Sequence, residues 1–316
     1  MHVLVTGADG FVGRTMLRRL LSAGHRVRGA MRPGAGDVVG LSPAERAAVE
    51  WVPLELEDTA SVRAAVASGP EAVIHLAAVA SGADARRDVG GAWATNAAGT
   101  ARLAEELGRL KEAGAADPVL VFASTGEVYG SGPARPRTER DPLLPCSPYA
   151  ASKVGAEAAI LEVWRRTGLR AVIARAFPHT GPGQSTRFVA PAFAERLRLA
   201  KRAKAPVVKT GNLEPVRDFL DVRDVAAAYL ALVDRGVPGE AYNVARGEGL
   251  SLAELFDRLA RLVGVRAIPE LDPELVRPAD ILHLVGDSSR LRAATGWSPT
   301  IDLDVTLKEL VDAQAD

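Results

Sequence analysis

At 316 residues with 47% hydrophobic content, the chain can fill one large α/β core and a smaller companion. Its 39 Lys and Arg balance 39 Asp and Glu, so no net field of either sign is offered to nucleic acid or to an anionic membrane, and any anion must be bound locally. The single Cys146 excludes an internal disulfide, and no apolar run reaches the roughly 20 residues of a membrane helix. Met1 leads into an apolar strand without a basic leader, so a cytoplasmic protein is expected.

Short β-branched or apolar runs alternate with amphipathic stretches through the first half, the pattern of βαβ units and a parallel sheet. The runs predict strands at His2–Thr6, Arg26–Ala30, Val49–Leu54, Ala72–Leu76, Val119–Ser124 and Arg170–Ala174. Between them, helices are predicted at Val12–Ser22, Ser61–Ala67, Trp93–Ala113 and Pro148–Thr167. The expected fold class is α/β, a doubly wound parallel (Rossmann) sheet with a smaller mixed α/β substrate domain. Pro178, Gly181, Pro182 and Gly183 break the rhythm, which sets a boundary between residues 1–176 and 177–316. The second part carries a helix near Phe188–Arg202, a segment Val216–Val222, a helix from Asp224, a strand near Tyr242–Val244 and a helix from Leu252. Residues 217–235 are expected to pack back onto the first domain.

Directly after the first strand, Gly7-Ala8-Asp9-Gly10-Phe11-Val12-Gly13 opens a helix. Glycines at these places permit a tight turn, close approach to a pyrophosphate and close helix–strand packing, while the helix amino end offers free N–H groups. A glycine-rich turn without a ligand is the bland alternative. The second strand ends in Gly29-Ala30-Met31-Arg32 with no acid to hold ribose hydroxyls or repel a 2′-phosphate. Arg32, with Arg28 as a second candidate, can pair with such a phosphate, so NADP is the expected cofactor and NAD the alternative.

Tyr149-Ala150-Ala151-Ser152-Lys153 places a phenol and an ammonium four residues apart on one helix face. A nearby ammonium favours phenolate and brings a phenol of pKa about 10 towards neutral pH, so the expectation is a proton-exchanging tyrosine. Ser124-Thr125-Gly126-Glu127 stands at the carboxyl end of the fifth strand, where open α/β sheets place ligands. Thr125 is expected to bond the same substrate oxygen as Tyr149, and Glu127 to act at a neighbouring sugar carbon; capping of a turn is the plain alternative for Ser124, Thr125 and Glu127. Cys146, three residues before Tyr149, is expected to be a small apolar filler. No metal site is expected, since the histidines are scattered and no acids cluster at ligand spacing.

Taken together, Gly7/Gly10/Gly13, His75-Leu76-Ala77-Ala78, Asn96-Ala97-Ala98-Gly99-Thr100, Thr125, Tyr149 and Lys153 resemble, in order and nearly end to end, the extended short-chain dehydrogenase/reductase (NAD-dependent epimerase/dehydratase) family. The resemblance implies that Gly7, Gly10, Phe11, Val12, Gly13, Arg32, Glu55, Leu56, Leu76, Ala77, Ala78, Asn96, Tyr149 and Lys153 surround the dinucleotide. Phe177 to Gln184, Gly211 to Asp224 and Arg277-Pro278-Ala279-Asp280 resemble the branch acting on GDP-linked deoxyhexoses. That likeness implies that Arg217 and Arg277 hold the nucleotide diphosphate; Ser124, Thr125 and His179 are the candidates for the sugar, with a structural hydrogen-bonding role the plain alternative for His179. Pro178 stands where the family commonly has Asn, and Glu55 where it often has Asp. The implied activity is NADPH-dependent reduction of the C4 ketone of a GDP-4-keto-6-deoxyhexose by a homodimer, with Thr125, Tyr149, Lys153 and Glu127 as the catalytic set. A nucleotide-sugar 4-epimerase and a 4,6-dehydratase are the enzymatic alternatives, and a dinucleotide-sensing regulator the non-enzymatic one.

Overall fold

The computed structural model describes residues 1–36, 38–276 and 281–313. From the amino terminus the chain runs β1 (His2–Thr6), α1 (Phe11–Ser22), β2 (Arg26–Met31), α2 (Pro43–Ala47), β3 (Val49–Pro53), α3 (Thr59–Val66), β4 (Ala72–His75), α4 (Gly82–Arg87), α5 (Val89–Trp93), α6 (Thr100–Glu112), β5 (Val119–Thr125), α7 (Pro148–Thr167) and β6 (Arg170–Ala176). It continues through β7 (His179–Thr180), α8 (Val189–Ala203), β8 (Val207–Thr210), β9 (Val216–Arg217), β10 (Leu220–Asp221), α9 (Val222–Arg235), β11 (Ala241–Val244), β12 (Leu250–Ser251), α10 (Leu252–Val263), β13 (Ile268–Leu271), β14 (His283–Leu284), α11 (Ser289–Thr295) and α12 (Leu303–Ala313).

The main sheet has the order β11-β6-β5-β4-β1-β2-β3, and every neighbouring pair is parallel. Its central strands are buried on both faces, as a sheet covered by crossover helices requires. On one face α1 and α9 press on Val3, Val5, Ile74 and Val121; on the other α3, α6 and α7 cover Leu4, Val73, Leu120 and Phe122. The order in which the strands are laid down reverses between β1 and β4, so the loops after these strands part to form a crevice.

Two features depart from expectation. The sheet has seven strands rather than six, because β11, from well beyond the break at Pro178, pairs with β6 through Ala241↔Ile173 to Val244↔Ala176. The predicted helix Trp93–Ala113 is also not continuous. α5 gives way to a π-helical segment at Ala94–Gly99 before α6 begins, and the wider turn turns Asn96 inward, where it is buried.

The remaining elements build a smaller lobe. Phe193, Leu197, Leu255, Phe256, Leu259 and Leu307 from α8, α10 and α12 form its core, and a capping box between Ser251 and Glu254 starts α10. Beside it lie the small sheets β12-β9-β14, β13-β8 and β10-β7. No helix among the described residues is long and apolar enough to cross a membrane.

Candidate active site

Gly7 turns the chain out of β1 at φ +63°, a left-handed conformation that favours glycine, and a β-carbon there would lie 2.8 Å from the amide nitrogen of Ala77. A β-carbon at Gly13 would collide with the carbonyl oxygen of Gly7, so α1 seats directly on the turn. Gly10 caps α1 without a side-chain bond and no acid occupies the first turn, which leaves the amino-terminal N–H groups and the helix dipole for an anion. Opposite, Thr6 Oγ1 accepts from the amides of Leu76 and Ala77 at 3.1 Å each. Its own proton therefore goes to His75 Nδ1 (2.7 Å), and His75 Nε2–H donates to Thr100 Oγ1 (2.9 Å). Burial, reinforced by the Lys153 charge, pulls the His75 pKa down to about 3, so this ring is a neutral strut beneath the Leu76–Ala78 turn.

Further along the crevice, Leu56 is buried against Gly99, whose missing side chain leaves it room, and the Glu55 carboxylate accepts from the amide of Glu57 (3.3 Å). Arg32 is exposed just past β2. Arg28 is not available beside it: its guanidinium is ion-paired with Glu50 on β3 and donates to the carbonyl of Ala65 (3.3 Å). Sequence reasoning passed over Arg14. It lies on α1, packs along Gly40 and donates to the carbonyl of Gly183 (3.1 Å), joining the loop after β2 to the glycine-proline loop. Its nearness to the GxxGxxG run was the signal available.

Thr125 ends β5 and caps the 3₁₀ turn Gly126–Tyr129, accepting from the amide of Glu127 (3.2 Å). Ser147 caps α7 and Pro148 starts it, which brings Tyr149 over the end of β5, beside Thr125 and Glu127. Burial and the neighbouring Glu127 carboxylate push the Tyr149 phenol well above its ordinary value, with the nearby Thr125 hydroxyl acting in the opposite sense. Lys153, one turn on, is 3% exposed; its Nζ donates to the carbonyl of Ala123 (2.8 Å) and sits 4.7 Å from the centre of the Phe122 ring. Burial draws its pKa down to about 7 although Glu157 opposes this. The expectation that the ammonium lowers the phenol is therefore corrected: both groups are desolvated, and each is driven towards its neutral form. A phenol held in that form can donate a proton.

Two supports hold this pair. The Asn96 amide accepts from the amide of Val79 (2.8 Å) and donates to Ser152 Oγ (2.9 Å), which in turn donates to the carbonyl of Tyr149 (2.8 Å). Beneath, Ser124 and Arg175 both donate to Glu157, the arginine at 2.7 Å, and Arg175 also donates to Tyr129 (3.1 Å). Both members of the Arg175–Glu157 pair are buried.

On the substrate side, His179 stacks parallel on Phe11 with ring centres 6.3 Å apart and binds the carbonyl of Phe177 (3.0 Å), so the loop after β6 lies against the start of α1. Val12 is half-buried beside it. Arg217 on β9 reaches the carbonyls of Val216 and Ile281. Pro178 contributes its carbonyl to the amide of Leu220 (2.9 Å). Arg277 lies outside the described residues. Cys146 is exposed rather than a buried filler, its sulfur lying beside Gly130. Among the described residues no three His, Cys, Asp or Glu side chains group as metal ligands.

A glycine turn without side chains, an uncapped helix end, a lysine at the sheet's carboxyl edge and a tyrosine beyond it suit a dinucleotide with its phosphates on α1 and its reactive ring near Tyr149. The model of the NAD-dependent epimerase/dehydratase family matches residues 3–245. The chain belongs to this family. It is thus an NAD(P)-dependent enzyme of the short-chain dehydrogenase/reductase type, with a nicotinamide dinucleotide as its cofactor. The chain is 33% identical to GDP-6-deoxy-D-mannose reductase of Pseudomonas aeruginosa, over 98% of its own length and 96% of the relative's. It is 32% identical to UDP-glucose 4-epimerase of Mycolicibacterium smegmatis, over 99% and 98%. The structure of RMD from Pseudomonas aeruginosa complexed with NADPH matches with a TM-score of 0.82 and 30% identity, covering 99% of this chain and 98% of that one.

Proposed function

We propose that this enzyme reduces the C4 ketone of a GDP-linked 4-keto-6-deoxyhexose, using NADPH. The observation that carries the reading is the placing of Tyr149, at the start of α7, beside Thr125 and Glu127 at the end of β5, where burial pushes its phenol well above its ordinary value. When bound, the dinucleotide supplies the hydride. Thr125 and Tyr149 hold the ketone oxygen, and Tyr149 passes its phenolic proton to that oxygen as negative charge develops there. Lys153 supports the tyrosine from one turn below and holds a ribose hydroxyl, while Glu127 orients a sugar hydroxyl next to the reacting carbon. Exposed Arg32 and the absence of an acid at the end of β2 favour a 2′-phosphate. Arg217 is assigned to the nucleotide diphosphate, Arg277 with it. The reading includes a cytoplasmic homodimer formed through the outer faces of α6 and α7.

A second reading, a nucleotide-sugar 4-epimerase, uses the same Thr125, Tyr149 and Lys153, and the epimerase relative favours it. Mixing purified protein with NADPH and GDP-4-keto-6-deoxymannose while following NADPH absorbance separates the two. Stoichiometric oxidation with a GDP-6-deoxyhexose as product is the expected result. No oxidation, together with tightly held NAD recovered from the protein, overturns the reductase reading in favour of the epimerase.

A further inference from the structure

Arg137 lies midway along the connection that carries Glu127 at one end and Tyr149 at the other, a stretch the reaction described above does not use. Its backbone is pinned on both sides: its amide donates to the carbonyl of Val285 (2.8 Å), and its carbonyl accepts from the amide of Asp287 (2.8 Å) and from Asn243 Nδ2 (2.7 Å). An isolated bridge to Gly286 sets it against the small sheet of β9 and β14. The side chain lies flat over Gly132, where a β-carbon would collide with the guanidinium, and the residue is only 4% exposed.

A buried guanidinium ordinarily has its donors filled. In this molecule the Nε and Nη2 edge, which presents two parallel N–H groups, grips a carboxylate in Arg63 (Glu106, 3.0 and 3.1 Å), Arg175 (Glu157, 3.1 and 2.7 Å) and Arg223 (Asp221, 2.9 and 2.8 Å). On Arg137 the same two atoms have no partner among the described residues. The nearby Asp141 carboxylate is taken by Arg135, at 2.6 and 2.8 Å. Two further cationic or donor groups converge here. His283 on β14, whose Nδ1 is also buried without a partner among the described residues, has its pKa lowered by burial and by the charges of Arg137 and Arg217. Positive charge thus gathers where the connection between Glu127 and Tyr149 meets β9 and β14.

We propose that Arg137, with His283 and Arg217, holds the diphosphate of a nucleoside-diphosphate-linked substrate, the Nε and Nη2 edge of Arg137 gripping two phosphate oxygens. The Arg137 edge matches two oxygens of one phosphate, and Arg217, assigned above to the same diphosphate, lies on β9, the strand paired with β14, so a diphosphate is the anion that spans both. The assignment rests on the nucleotide-sugar reading above.

Calorimetric titration of the NADP-loaded protein with GDP, UDP and GMP tests it, on wild type, Arg137→Met and Arg137→Lys. The expected result is a GDP dissociation constant about 10- to 100-fold higher in Arg137→Met, a smaller loss in Arg137→Lys, a weaker effect on GMP and an unchanged affinity for NADP. The melting temperature of nucleotide-free Arg137→Met should equal or exceed that of wild type, since an uncompensated buried charge has been removed. Wild-type affinity for GDP and UDP in Arg137→Met overturns the proposal, as does a variant that loses melting temperature and NADP affinity together with GDP affinity. If Arg137→Met does not fold, unaltered GDP affinity in Arg137→Lys overturns it equally. Binding of neither GDP nor UDP by the wild type overturns the nucleotide-sugar reading itself.

Discussion

A phenol pushed up by burial, one helical turn from a lysine pulled down to about 7, behaves as an acid across the neutral range, which suits ketone reduction better than alcohol oxidation. Tyr149→Phe should lower kcat by about 10² to 10⁴ while cofactor affinity stays within about twofold, read by single-turnover absorbance and by fluorescence titration. The Lys153 ammonium is present below about pH 7 and lost above it, so kcat/KM for reduction should be flat at low pH and fall as pH rises through that value. A profile that instead climbs from pH 6 to pH 9 would assign the working form to a deprotonated pair. The identities of Thr125, Tyr149 and Lys153 were legible in the sequence because a short spacing fixes them to one helix face and one strand end. The direction of their pKa shifts was not, because desolvation depends on Phe122, Glu157 and the rest of the packed surroundings.

Local order around the site depends on elements that depart from regular geometry. The π-helical turn at Ala94–Gly99 is what lets the Asn96 amide bond both Val79 and Ser152, and through Ser152 the first turn of α7. Asn96→Ala leaves the Val79 amide and carbonyl without their partners, and should cost about 1–3 kcal/mol in denaturant unfolding. It should also lower kcat more than it raises the cofactor KM, because Tyr149 loses its anchor. Apolar periodicity over Trp93–Ala113 predicts one helix, since a single extra residue in one turn shifts the pattern less than ordinary sequence variation does. Asn96 was nevertheless found through resemblance; Arg14 had only its nearness to the GxxGxxG run to announce it, and Arg137 no pattern at all.

At the scale of the whole molecule, the acids of the Arg217 to Asp224 stretch act as knots between distant segments. Asp218, fully buried, accepts from the amides of Arg246 (2.9 Å), Gly247 (2.9 Å) and Gly286 (3.2 Å). Asp224 accepts from Thr300 and Ile301, and Asp221 from Thr306. Asp218→Ala strands three buried N–H groups and should destabilise by about 3 kcal/mol or more, visible as a lower melting temperature; a change under about 1 kcal/mol would show that water replaces the carboxylate. The alternation of strands and helices announced the doubly wound class, but the membership of β11 was hidden, because a four-residue apolar run does not reveal which sheet edge it will join. That late strand matters during synthesis. Until about residue 244 leaves the ribosome, β6 presents an open hydrogen-bonding edge, and translation at roughly 5–20 residues per second leaves it so for about 3 to 14 s after β6 itself emerges. The nascent protein therefore passes through an interval in which a second chain can pair where β11 belongs, and slower translation of the codons for residues 177–244 would lengthen that exposure.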